Sequence, residues 1–130
     1  MRLWHQKLIP YLPRQQLLGQ HRECCALRGA GWGRKHSVVN YVFTYNPAYL
    51  VAYHCLVMNE MKNRGYHPDE IWYNVHYRGK QLGIQENWVD ENKFIDIFEN
   101  NYNPIFSEHN DVYLQECLDN LHNKGIDIKL

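Results

Sequence analysis

Within the first forty residues a single carboxylate, Glu23, stands among seven basic side chains: Arg2, Lys7, Arg14, Arg22, Arg28, Arg34 and Lys35. A lone carboxylate among cations is held ionised, and in that form it can stabilise positive charge developing on a sugar ring. The same residue can equally serve as an ion-pair partner for Arg22, Arg28 or Arg34. Residue types alone leave both roles open. Gly19 lies one helical turn before Glu23 on the same side, which predicts that another backbone, that of the N-terminal arm, approaches there.

Other chemistries are thinly provided for. The only Ser or Thr hydroxyls are Ser37, Thr44 and Ser107, and none sits in a Gly-x-Ser-x-Gly elbow. A Gly-x-x-x-x-Gly-Lys-Ser/Thr phosphate loop is missing, and Gly29, Gly31 and Gly33 follow a helix rather than a strand. Among eight histidines, His21 falls three and four residues before Cys24 and Cys25, so these side chains can converge on one helix face. There is no Cys-x-x-Cys or His-x-x-x-His pair, and the cysteines read better as small buried hydrophobes than as metal ligands. No metal site is expected.

These residues are to be positioned by helices. Residues 1–13 carry Pro10 and Pro13 and read as an extended, packed arm, with Pro13 suited to open a helix. From Arg14 a helix is expected through Arg28, with Leu17, Leu18, Cys24, Cys25 and Leu27 as its apolar stripe. It is broken by the glycines at 29, 31 and 33. A short helix is expected over 35–44. Asn46-Pro47 starts a long one that Gly65 stops, with Leu50, His54, Val57, Met58 and Met61 buried. Residues 69–73 form a helical turn, 75–92 are irregular, 93–100 form a short helix, and Ser107 or Asn110 opens a last helix that ends at Gly125. The expected fold is all-α, a single compact domain over residues 1–130 with long loops.

The formal net charge is zero, but it is unevenly spread. Residues 1–40 hold seven basic residues against one acid, a balance of +6; the rest hold seven against thirteen, a balance of −6. One end can present a positive face to phosphates. No apolar run reaches membrane-spanning length and the first residues lack a signal-peptide core, so a soluble protein is expected. Four cysteines, two of them adjacent, do not make a disulfide framework, which points to a reducing, cytoplasmic setting.

The segment with Leu17, Arg22-Glu23, Gly29-Ala30 and Arg34-Lys35-His36 resembles the phage endonuclease V type of pyrimidine-dimer DNA glycosylase. Weaker matches follow at Gln115-Glu-Cys-Leu118 and Lys124-Gly-Ile126. The resemblance implies a glycosylase and abasic-site lyase that acts on duplex DNA with a damaged base. It implies a monomer that needs no cofactor. The family's nucleophile is the N-terminal α-amine, which attacks C1′ to form an imine. That amine has a pKa of about 7.7–8.0 against about 10.4 for lysine, so more of it is uncharged at neutral pH. Carried over, the catalytic residues are Met1 and Glu23, and the DNA contacts are Arg2, Arg22, Arg28, Arg34, Lys35 and His36.

This chain departs from the family pattern at several points. Arg2 is too large for removal of the initiator Met, so the amine is that of Met1. Gln16 stands where the family has a histidine. The family's aromatic–basic tail has no counterpart after Gly125, although a similar string, Trp72 to Lys80, lies mid-chain and offers stacking and phosphate contacts. A binding module without chemistry, or an enzyme acting on a small nucleoside or sugar, remains the alternative.

Overall fold

The computed structural model describes residues 2–35 and 38–130. Met1 and His36, two of the expected site residues, lie outside the described residues. Five α-helices are present among them: α1 (Arg14–Arg28), α2 (Pro47–Asn63), α3 (Gly79–Leu82), α4 (Glu91–Glu99) and α5 (Asp111–Asn123). No strand occurs in the described residues; a lone antiparallel bridge joins Tyr77 to Ile84. The all-α expectation therefore holds.

Helix α2 is the axis of the molecule. Asn46 caps its start by accepting from the Ala48 N–H, and Pro47 at the first turn needs no partner for the donor it lacks. Leu50, Val51, Ala52, Tyr53, His54, Cys55, Val57 and Met58 are all buried, so almost no face is left for solvent. A helix apolar all round is a core helix. Helices α1 and α4 and the N-terminal arm pack around it. It is not long and apolar enough to cross a membrane, and neither is any other helix among the described residues.

Both long helices with glycine stops end in the same way. Gly65 and Gly125 take φ of 87° and 81°, and Tyr66 and Ile126 then donate back to the carbonyls of Met61 and Leu121. This left-handed stop satisfies carbonyls that the helix end leaves open.

Three local expectations need correction. The arm is packed, with Leu3, Trp4, Leu8 and Leu12 buried, but it is not extended throughout: Gln6–Tyr11 forms a 3-10 helix. The fixed φ of Pro10 lies within the 3-10 range and His5 caps the first turn by accepting from Lys7 N–H. Residues 75–92 are not wholly irregular, because α3 sits between Gly79 (φ 93°) and Gly83 (φ 65°). The expected helix over 35–44 is a shorter 3-10 segment, Asn40–Thr44.

Candidate active site

Glu23 lies on the side of α1 that meets the N-terminal arm, and the residue that fixes this meeting is Gln20. Its carbonyl oxygen accepts from the Trp4 N–H (2.6 Å) and from the Tyr53 hydroxyl (2.9 Å). Its amide nitrogen donates to the Arg2 carbonyl (2.9 Å) and to Glu23 Oε2 (3.1 Å). Tyr53 Oη also lies 2.6 Å from the Trp4 carbonyl, so its single proton is shared between that oxygen and Gln20. One buried side chain thus ties the arm, α1, α2 and the carboxylate into a single network. Buried amides persist only when so satisfied.

Gly19 does not play the part expected of it. Among the described residues, a Cβ placed there would meet only Arg22 Nη2, at 3.7 Å, and no backbone outside α1 comes within 4 Å. The arm is held by a side chain rather than admitted by a missing one.

Beside this network is a cavity of about 220 Å³ lined by Arg2, Trp4, Glu23, Val38, Asn120 and Lys124. Two cations flank the Trp4 ring, with Arg2 Cζ 5.7 Å and Lys124 Nζ 5.3 Å from its centroid. Burial raises the Glu23 pKa above the usual carboxylate value. The Arg2 backbone N–H and the charges of Lys124 and Arg22 pull the other way without prevailing. Cationic company alone predicts a lowered value; the loss of water outweighs it. A groove of similar volume, about 250 Å³, runs past Gln6, Leu56, Phe98 and Tyr102, but it holds no acid, histidine or cysteine.

The expected DNA contacts divide. Arg22, Arg34 and Lys35 are exposed and Arg2 is half-buried at the cavity. Arg28, by contrast, is 0% exposed. Its guanidinium donates to the carbonyls of Trp72 (2.8 Å), Asn74 (2.8 Å) and Tyr77 (2.9 Å), and burial brings its pKa down to about 10. A phosphate has no access to it, so Arg28 is a clamp for the loop after α2 rather than a DNA contact. The Trp72–Lys80 string is the clamped loop itself. The Trp72 ring is taken up by Arg28 (5.0 Å) and Tyr77 (4.7 Å), and within the string only Asn74 and Lys80 are exposed.

Three potential metal ligands do converge, and only two of them, His21 and Cys25, come from the helix face on which sequence let His21, Cys24 and Cys25 meet. Cys24 is buried in the core, while His21, Cys25 and His54 bring their ligand atoms within 4.8 Å of one another. Their hydrogen bonding opposes a metal. Arg28 Nη1, which can only donate, lies 3.0 Å from His54 Nδ1, so the His54 proton is on Nε2 and points at His21 Nδ1, 2.8 Å away. The lone pair a metal would need at Nε2 is absent, a guanidinium charge is adjacent, and burial pushes the Cys25 thiol up to about 12.

Sequence reasoning missed Gln20, Asn120 and Lys124. Gln20 looks like any helix-forming residue, and Asn120 reveals itself only when α5 is brought against the arm; Lys124 was marked beforehand only by the weak Lys124-Gly-Ile126 match and by its spacing of four from Asn120. A family model described as pyrimidine dimer DNA glycosylase matches residues 1–74. No curated protein and no solved structure matches the chain.

Proposed function

Since the chain belongs to the pyrimidine dimer DNA glycosylase family, we propose that it excises a damaged pyrimidine from duplex DNA and then cleaves the strand at the abasic sugar. In this reading the α-amine of Met1 is the nucleophile and Glu23 the group that stabilises the cationic sugar. The observation that carries it is the Gln20 network, which joins the Glu23 carboxylate to the backbone of Arg2 at the wall of a polar cavity. Arg2 is one peptide, about 3.8 Å between Cα atoms, from the residue that bears the proposed amine.

The chemistry runs as follows. The amine lone pair attacks C1′ and the glycosidic bond breaks, the base leaving with the electron pair and taking up a proton. The C1′–O4′ bond then opens to give the imine, and O4′ is protonated to a hydroxyl. Loss of a proton from C2′ expels the 3′ phosphate and cuts the strand, and water then hydrolyses the imine, returning the free amine and leaving an aldehyde on the sugar. Positive charge at C1′ and nitrogen is greatest in the first two steps, where a carboxylate held in a partly dry cavity contributes most. Arg2, Arg22, Arg34, Lys35 and His36 serve as phosphate contacts, and the target nucleotide leaves the base stack to reach the cavity.

Borohydride reduction on abasic and pyrimidine-dimer duplexes tests this reading. A covalent complex through Met1 is expected with the unblocked chain, and none after an N-terminal extension. Trapping that survives the extension would shift the nucleophile to Lys124, the lysine that lines the same cavity. No trapping on either substrate would overturn the lyase assignment.

A further inference from the structure

A groove of about 390 Å³ runs between the end of α1 and α3, and it shares no lining residue with the Glu23 cavity. The α1 side supplies Ala26, Ala30 and Gly31, and the other side Arg78, Lys80 and Leu82. Acid is kept away from it along the sequence. No Asp or Glu occurs between Glu23 and Glu60 or between Glu70 and Glu86, the two stretches that contribute every lining residue. Two guanidiniums stand at the groove without a counter-ion: Arg78 in its wall, and Arg28 against the Trp72 ring that lines it. Backbone carbonyls and the Gln85 amide satisfy their N–H groups, and neither forms an ion pair among the described residues. Enclosed cations are ordinarily paired with an anion. With little water to screen it, the field of these two reaches the groove more strongly than that of solvated side chains.

Exposed side chains complete the arrangement. Lys80, Leu82, Ala26 and Ala30 are all open to solvent, and Arg34 Nε donates to the Ala30 carbonyl at 2.9 Å, which ties a proposed phosphate contact to a residue of the groove. Carbon surface with cations around it suits a sugar–phosphate backbone, whose deoxyribose faces are apolar and whose phosphates are anionic. An acidic peptide fits less well, because its main-chain amides would meet Ala26, Ala30 and Leu82 rather than hydrogen-bonding partners. Nor is this a stacking platform for bases, since Arg28 and Tyr77 already occupy the Trp72 ring. Resting on the DNA-repair reading above, we propose that this groove is a second DNA-binding surface, seating the backbone of one strand away from the Glu23 cavity. Lys80 and Arg34 contact its phosphates, and Leu82 and Ala30 pack on its sugars. Lys80 and Leu82 lie outside the matched residues 1–74, so this surface is an addition to the part of the chain that the family describes.

Binding of an undamaged duplex, followed by fluorescence anisotropy across a salt series, tests this without calling on catalysis. Lys80→Ala should lower the slope of log affinity against log salt by about one. Leu82→Glu sets a charge of the wrong sign in the groove and should weaken binding at low salt by at least about tenfold, while the uncharged Leu82→Gln should lose much less. Both side chains are exposed, so the urea midpoints should stay with wild type. Lys129→Ala makes the same charge change at an exposed residue that lines neither cavity, and its slope should match wild type. A wild-type slope in Lys80→Ala, an equal loss in Lys129→Ala, or full binding by Leu82→Glu overturns the groove. Each of these leaves the glycosylase reading standing, because borohydride trapping at Met1 decides that separately. Polyglutamate bound in preference to duplex, and released by the same Lys80 and Leu82 variants, would assign the groove to an acidic protein instead and overturn the proposal. Wild-type protein that binds no duplex even at low salt overturns this surface and the DNA-repair reading together.

Discussion

At Glu23 function and stability pull apart. Its carboxyl is held above the ordinary value by burial, so the folded state binds that proton more tightly than the unfolded chain. A group shifted this way contributes stability below its unfolded pKa, near 4.5, and that contribution is lost as pH rises through the folded value. At pH 7 the ionised side chain is thus a net cost to folding. Glu23→Gln should abolish base excision and trapping and leave duplex binding largely intact. It should show a urea midpoint at pH 7 no lower than wild type, the two converging below about pH 4.5. A large destabilisation in the glutamine variant would mean that Glu23 is chiefly a structural ion pair. The acid limb of the wild-type rate profile should also fall above the usual carboxylate pKa. How much of this was legible beforehand is clear from the neighbouring positions. Glu23 could be singled out because it is the one acid in a basic stretch. Gln20 could not, because its partners come from the arm and from Tyr53 on another helix, and nothing in the residue type distinguishes a buried glutamine from a solvated one.

Among the elements, the junction between α1 and the loop over 70–84 shows what a basic residue in sequence does and does not reveal. Helix limits were readable from local chemistry: Asn46-Pro47, Asn110, Gly65 and Gly125 each act on adjacent backbone, and the structure stops and starts there. Arg28 was not readable, since an arginine at the end of a basic helix has the same sequence signature whether it faces phosphate or is enclosed by a loop. In the fold it works with Arg78, which donates to the Arg28 carbonyl at 2.8 Å and to that of Gly29 at 3.2 Å, meeting carbonyls at the end of α1. Arg28→Ala would strand the three carbonyls of Trp72, Asn74 and Tyr77 and open a void. We expect a loss of at least about 3 kcal/mol, measured by urea unfolding. DNA affinity, measured where the variant is still folded, should be little changed. A variant with full stability and weak DNA binding would restore Arg28 to the contact surface.

Across the whole molecule, four histidines set the response to acid. Burial holds His5, His21, His54 and His109 below the usual 6.5, His109 down to about 3. His109 shows why: Nδ1 accepts from the Gln6 N–H at 3.1 Å and Nε2 meets the Tyr41 hydroxyl at 2.8 Å, an arrangement that a second ring proton would break. A lowered histidine contributes stability above its unfolded value, and that stability is lost as pH falls through 6.5 toward the folded value. Urea midpoints should therefore decline steadily below about pH 6.5, each such histidine adding a slope of up to about 1.4 kcal/mol per pH unit. A flat profile between pH 7 and 5 would contradict the buried network. Charge acts at the same scale. Duplex binding should weaken steeply with salt, and Arg22→Ala and Arg34→Ala should each lower the salt slope by about one for every sequence tested. Binding that ignores salt would point instead to a small nucleoside or sugar substrate.

The placement of Asn120 on α5 and of Lys124 at its C-terminal cap has a consequence for synthesis. The residues that carry the family signature leave the ribosome first, yet the cavity beside Glu23 has no far wall until Lys124 has been made and α5 has docked on the arm. A chain still being translated already displays Arg22, Arg34 and Glu23, and it can meet nucleic acid while lacking half of its site. Because α5 follows the basic segment along the chain, the wall of the cavity beside the Glu23 carboxylate is completed only after that segment has been made.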